Sequence, residues 1–289
     1  MPAEHWLELT IRSPLEPDLV SPALLELGGS AVEEREGVLV TYLPPPEELE
    51  EFLDAARRHL KALSPSAELD LSWRWQPQKD WESFWRRGLG TRRITERLLV
   101  VPSWEQVAPE PGQIALLLDP GMAFGTAEHA TTRGCLRLLD SRVSAGSRIA
   151  DVGAGSGILS IAAAHLGAGE VLALEVDGIA CETALENVSR NGVEDRVKVL
   201  EVQVEGGTPL SDAPFDGIVA NLQSHLLRPL LSTFRVSLLP EGWLVMSGIL
   251  LEERDEILSA ASAEGFILHE GDEEDGWWTG AFGLTRSPH

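Results

Sequence analysis

The segment Ile149-Ala150-Asp151-Val152-Gly153-Ala154-Gly155-Ser156-Gly157-Ile158 constrains this chain more than any other. An apolar strand enters a glycine-rich turn and passes directly into a helical stretch, Ile158–Leu166. Glycines let the backbone approach a ligand closely, and a helix start offers N–H groups that lack intrahelical partners. Past the next strand, Leu172-Ala173-Leu174, stands Glu175, placed to accept hydrogen bonds from ribose hydroxyls. Strand, turn, helix, strand and acid in this order predict a nucleoside cofactor.

The charges narrow the choice of cofactor. The turn reads G-x-G-x-G rather than the G-x-G-x-x-G of a dinucleotide fold, and Asp151 lies ahead of its first glycine. A carboxylate facing this turn repels a pyrophosphate and suits an ammonium group. S-adenosylmethionine carries an ammonium and a sulfonium and no phosphate. It is favoured over NAD.

Around this segment, short apolar runs occur at Leu98–Val101, Ile114–Leu118, Arg148–Val152, Val171–Leu174, Val197–Val202, Gly217–Ala220 and Trp243–Met246. Helical stretches Ile158–Leu166, Ile179–Arg190, Leu222–Leu238 and Glu252–Ala263 separate the later ones, and Gly265–His269 and Trp277–Thr285 read as two further strands. Continuous apolar runs alternating with helices predict a parallel sheet covered on both faces. Residues 95–289 are expected to form this α/β domain.

Residues 1–76 read differently. Leu7, Leu9 and Ile11 alternate with polar residues, as do Leu69, Leu71, Trp73 and Trp75. Ala31–Glu34 and Val38–Leu43 flank Glu36-Gly37 as a hairpin. Leu15–Leu27 and Leu49–Leu60 carry helical spacing. The order β-α-β-β-α-β predicts a small α+β ferredoxin-like domain. Residues 77–94 connect the two domains. Trp81, Phe84 and Trp85 fall on one helical face there, as a packing plug or as a ligand-contacting aromatic box.

Composition limits the partners. The 46 Asp+Glu against 23 Lys+Arg give a net charge of −23. Such a surface disfavours direct nucleic-acid binding and attracts cations, although acidity also serves solubility. No apolar run is long enough to span a bilayer, and no secretory signal is visible, so no membrane partner is expected. The two cysteines, Cys135 and Cys181, fall in helical stretches as apolar fillers and fit a reducing cytoplasm. The histidines show no metal-ligand spacing, and no metal is expected. His129 reads as a hydrogen-bonding strut for its loop rather than a general base.

Asp119-Pro120-Gly121-Met122-Ala123-Phe124-Gly125-Thr126, followed by His129-Ala130-Thr131-Thr132, closely resembles the signature of the ribosomal protein L11 methyltransferase (PrmA) family. Asp151–Gly157, Asn187–Gly192, Val219–Leu222 and Ser247–Leu250 match it further, as does Asp80-Trp81 with Trp85. The resemblance spans essentially the whole chain. It implies a class I methyltransferase with a Rossmann-like sheet, preceded by a ferredoxin-like substrate-recognition domain. It implies cofactor contacts at Thr132, Gly153, Glu175 and Asn221, to which the motif reading adds Asp151 and Gly155. It also implies methyl transfer to lysine ε-amines, with a possible N-terminal α-amine, of a basic ribosomal protein. A monomer is the expected state.

Two departures stand out. Ala127 occupies the place of a common glycine and would be strained at positive φ. Glu175 replaces a common aspartate with a carboxylate one methylene longer. The adenine contact, near Val202-Gln203-Val204, is left unassigned. Asn221 follows an apolar strand, where its side-chain carbonyl could orient an amine or its side chain could cap a helix. A same-fold enzyme acting on another protein or a small molecule, a silent binding module and a dehydrogenase are the alternatives.

Overall fold

The computed structural model describes residues 5–13, 20–21, 23–24, 27–28, 32–35, 38–46, 48–63, 70–77, 90–105, 107–118, 127 and 129–285. The chain divides into two compact units, Met1–Leu89 and Gly90–His289.

In the first unit, β1 (His5–Arg12), β2 (Val32–Arg35), β3 (Val38–Leu43) and β4 (Asp70–Pro77) form an antiparallel sheet in the order β2-β3-β1-β4. This is the ferredoxin-like order, with α1 (Leu49–Leu63) between β3 and β4. The period-two pattern sends Leu7, Leu9 and Ile11 into a core with Leu53 and Leu60 of α1. Glu8 alternates to the other face, where it accepts two hydrogen bonds from Arg74, at 2.7 and 2.9 Å. Most of the helix expected over Leu15–Leu27 lies outside the described residues, as do Trp81, Phe84 and Trp85.

The second unit contains β5 (Arg92–Arg93), β6 (Leu98–Val101), β7 (Ile114–Leu117), α2 (Ala130–Asp140), β8 (Arg148–Val152), α3 (Ile158–Leu166), β9 (Glu170–Glu175) and α4 (Gly178–Arg190). It continues with β10 (Val197–Glu201), β11 (Phe215–Asn221), α5 (Ser224–Ser237), β12 (Leu238–Leu250), α6 (Arg254–Ala263), β13 (Phe266–Glu274) and β14 (Trp277–Leu284). A seven-stranded sheet runs β10-β9-β8-β11-β12-β14-β13. Its first five strands are parallel, and β14 is antiparallel to both neighbours. Residues of α2, α3 and α4, such as Leu136, Ile161 and Val188, pack on one face. Leu227 and Phe234 of α5 and Ile257 of α6 pack on the other.

One expectation needs correction. β6 and β7 are parallel to each other but stand outside the large sheet, in a three-stranded sheet with β5. An apolar run reports that a strand is buried, not which strand it pairs with. Asn191 at the end of α4 secures β7 instead, accepting from Leu117 N at 2.8 Å and donating to Leu117 O at 2.7 Å.

Candidate active site

The carboxyl ends of β8, β9, β10 and β11 surround a cavity of about 660 Å³. Thr132, Gly153, Gly155, Glu175 and Asn221 all line it. Each comes from a different place in the chain: Thr132 from the first turn of α2, the glycines from the β8–α3 turn, and Glu175 and Asn221 from the last residues of β9 and β11.

The glycine turn has the backbone its sequence requires. Gly153, Gly155 and Gly157 stand at φ 76°, 53° and 79°. A Cβ on Gly153 would lie 2.4 Å from Leu222 Cδ2, so glycine keeps this wall open. Gly153 N and Ala154 N donate to Leu174 O at 2.8 and 3.1 Å. Gly155 N donates to Glu175 Oε2 at 2.9 Å, while Oε1 accepts from Val176 N and Asp177 N. The longer side chain of Glu175 therefore ties the turn to the end of β9. Asn187, from another matched segment, donates to Ser156 O at 2.9 Å and supports the turn from α4.

Asp151 stands apart from the other five candidates. It is fully buried and is not part of the cavity wall. Its Oδ2 accepts from Ser160 Oγ at 2.7 Å, and its Oδ1 has no hydrogen-bond partner among the described residues. Burial raises its pKa to about 6 despite the Ser160 bonds, and the nearby charge of Glu175 acts in the same direction. It sits behind the cavity wall rather than on it.

Asn221 is the last residue of β11, and the cap of α5 is Gln223, so Asn221 is not an N-cap. Its Nδ2 donates to Thr132 Oγ1 at 3.4 Å. With the amide nitrogen turned to Thr132, the carbonyl Oδ1 is the group left to accept. Ser247, its register partner on β12, accepts from Leu222 N at 3.1 Å through its carbonyl. Gly248 follows at φ 83°, and a Cβ there would meet Leu222 O at 2.3 Å. The corner after Asn221 is thus packed backbone on backbone.

The segment Val202-Gln203-Val204, left unassigned above, lies on the wall with Glu205 and Gly206. Val202 N donates to Glu175 O at 2.7 Å. Thr233, fully buried on α5, donates to Glu205 O at 2.9 Å. A Cβ on Gly206 would come 2.7 Å from Pro229 O. No motif in the sequence marks these contacts.

His129 caps α2, with Nδ1 accepting from Thr131 N at 3.4 Å, and stacks edge-on against Trp277 at 4.7 Å. Burial and then the charge of Arg133 lower its pKa, against the opposing charge of Asp275. Phe124 and the Asp119–Thr126 signature lie outside the described residues. Cys135 is fully buried, and burial raises its pKa.

The model of the family "Ribosomal protein L11 methyltransferase (PrmA)" matches residues 19–282. This chain belongs to that family. The ribosomal protein L11 methyltransferase of Chloroflexus aurantiacus is 35% identical over 321 residues, covering 96% of this chain and 97% of that protein. That of Symbiobacterium thermophilum is 38% identical over 240 residues, covering 82% and 77%. The crystal structure of a ribosomal protein L11 methylase from Lactobacillus delbrueckii subsp. bulgaricus superposes with a TM-score of 0.62 at 31% identity, covering 68% of this chain and 100% of that one. PrmA enzymes use S-adenosylmethionine. The cavity's chemistry suits that molecule: a carboxylate, Glu175, at the end of β9, a glycine turn without Cβ atoms, and apolar walls from Val152, Leu174 and Leu222.

The cradle yields a prediction. Gly153→Ala forces a side chain into the left-handed region, at about 1–2 kcal/mol, and pushes on Leu222. Calorimetric affinity for S-adenosylhomocysteine is expected to fall roughly 10-fold. Unchanged affinity would mean that the cradle does not hold the cofactor.

Proposed function

We propose that this chain transfers methyl groups from S-adenosylmethionine to lysine ε-amines of ribosomal protein L11, and to its N-terminal α-amine. Thr132, Gly153, Gly155, Glu175 and Asn221 hold the cofactor, and Asn221 also orients the amine. The observation that carries this reading is their convergence on one cavity in a member of the PrmA family.

When bound, the cofactor supplies an electrophilic methyl group on a sulfonium. The protein must present an amine with a free lone pair in line with it. A lysine amine has a reference pKa near 10.4, so baring the lone pair at neutral pH costs roughly 4 kcal/mol. Burial among Leu222 and its neighbours disfavours the ammonium form and lowers that cost. Asn221 Oδ1 accepts one N–H and turns the lone pair toward the methyl carbon. Positioning supplies much of the remaining acceleration. Asp151 adds negative charge next to the glycine turn, which would favour the cofactor's ammonium over a phosphate-bearing ligand.

The ferredoxin-like unit recognises the substrate, with residues 77–94 as the connector. A net charge of −23 favours encounter with a basic ribosomal protein over direct contact with nucleic acid. No helix among the described residues is long and apolar enough to cross a membrane. The enzyme is taken to act in the cytoplasm as a monomer.

Mass spectrometry of L11 incubated with the enzyme and S-adenosylmethionine tests the reading. Mass increments on lysines, formed more slowly as salt is raised, are expected. An unmodified L11 beside another methylated ribosomal protein would transfer the activity to that protein.

A further inference from the structure

Among the described residues, the non-glycine residues at positive φ are Ala127, at 59°, and Asp275, at 52°. They are far apart in sequence, and one guanidinium binds both. Arg133 Nη1 donates to Ala127 O at 3.2 Å, and Nη2 donates to Asp275 Oδ2 at 3.1 Å. Nε donates to Glu274 Oε1 at 2.8 Å, with Nη2 2.7 Å from the same oxygen. The Arg133 side chain is 9% exposed and Ala127 1%, so water competes little for the carbonyl contact.

We propose that Arg133 is a positioning residue for the cofactor site. Its guanidinium holds Ala127 in the left-handed conformation and so sets the entry to α2, where Thr132 meets Asn221. Glycine adopts that conformation unaided, whereas alanine carries a Cβ that opposes it. The carbonyl contact at Ala127 supplies what the residue type withholds. The anchor at the other end is firm, because Glu274 and Asp275 bound the turn between β13 and β14, both strands of the large sheet. One planar fork serves a carbonyl and two carboxylates at once, a task the point charge of lysine cannot repeat. Arg137, one turn along α2, makes a parallel set of bonds to Asp272 and Glu274. Neither of those bonds involves Ala127.

The inference rests on the cofactor reading above, and calorimetry with S-adenosylhomocysteine separates the two. If the unsubstituted protein fails to bind, the cofactor reading falls. Given binding, Arg133→Met is expected to weaken it roughly 10-fold, about 1.4 kcal/mol, and Arg133→Lys to fall between. Adding Ala127→Gly to Arg133→Met should restore most of the affinity, and far more than the same change shifts the unsubstituted protein. A purely structural role for Arg133 predicts no such rescue. Melting temperatures of the same four proteins test the coupling without ligand: Ala127→Gly should raise the midpoint more in the Arg133→Met background. Should Arg133→Met not fold, Glu274→Gln weakens the same clamp and must show the same rescue in smaller measure. Full affinity in Arg133→Met, or equal effects of Ala127→Gly in both backgrounds, overturns the proposal.

Discussion

Replacing Asn221 with alanine is expected to reduce kcat for L11 methylation on the order of 100-fold, with little loss of stability. The side chain stands on the cavity wall with its nitrogen turned to Thr132, leaving Oδ1 as the acceptor at the end of β11. Removing that acceptor leaves the amine free to rotate, so the reacting geometry is populated rarely. The bond to Thr132 is long, at 3.4 Å, and its loss costs about 1 kcal/mol or less. Stopped assays with mass detection, beside thermal melts, separate the two quantities. Asn221→Asp offers a control: it retains an acceptor but adds a charge, and should recover part of the rate. A variant with alanine at 221 that turns over at the normal rate would remove the residue from the mechanism.

Asp151 produces the second large effect, on stability against pH. Its ordinary pKa of 3.8 is raised to about 6 in the fold, first by burial. Between these values the folded state binds more protons than the unfolded one, so stability falls as pH rises through this window. The gap corresponds to roughly 3 kcal/mol, fully present as a penalty at pH about 7 and absent at pH about 3.5. Asp151→Asn removes the charge. Denaturant melts should therefore show the variant gaining about 3 kcal/mol relative to the unsubstituted protein between those two pH values. Any fixed cost of the new amide cancels in that difference. At neutral pH the same variant should bind S-adenosylhomocysteine more weakly, because the charge behind the turn is gone. Parallel stability curves for the two proteins would show that Asp151 does not titrate in this range.

Much of the architecture is legible from periodicity. The alternation of Leu7, Leu9 and Ile11 gives a strand with one buried face, and the β8–α3 turn is readable because its glycines stand where positive φ is required. What periodicity cannot supply is pairing, which is why β6 and β7 look like members of the large sheet. It also gives no bounds for α2. Thr131, Thr132, Arg133 and Gly134 of that helix are all buried, so no apolar stripe sets it off. In the candidate site, residue types point to the glycine turn and Glu175, whereas Thr132 and Asn221 as cofactor contacts come from the family resemblance. The orientation of Asp151 is not so encoded: a carboxylate beside a glycine turn can face the ligand or Ser160, and packing decides. The supports behind the wall leave little local pattern: Thr233 reaches Glu205 across 28 residues, and Arg133, although only six residues from Ala127, is anchored by Glu274 and Asp275 far along the chain.

The order of strands at the far end of the large sheet bears on synthesis. β14 lies between β12 and β13 yet is translated after both, so β13 has no hydrogen-bonding neighbour when it first appears. A nascent ribbon carrying Ile267 and Leu268 would be open to pairing with other chains. Glu270, Asp272, Glu273 and Glu274 repel such company along the rest of the strand. The carboxylates that later grip Arg133 and Arg137 thus first serve as guards, and the same side chains protect the unfinished protein and brace the finished one.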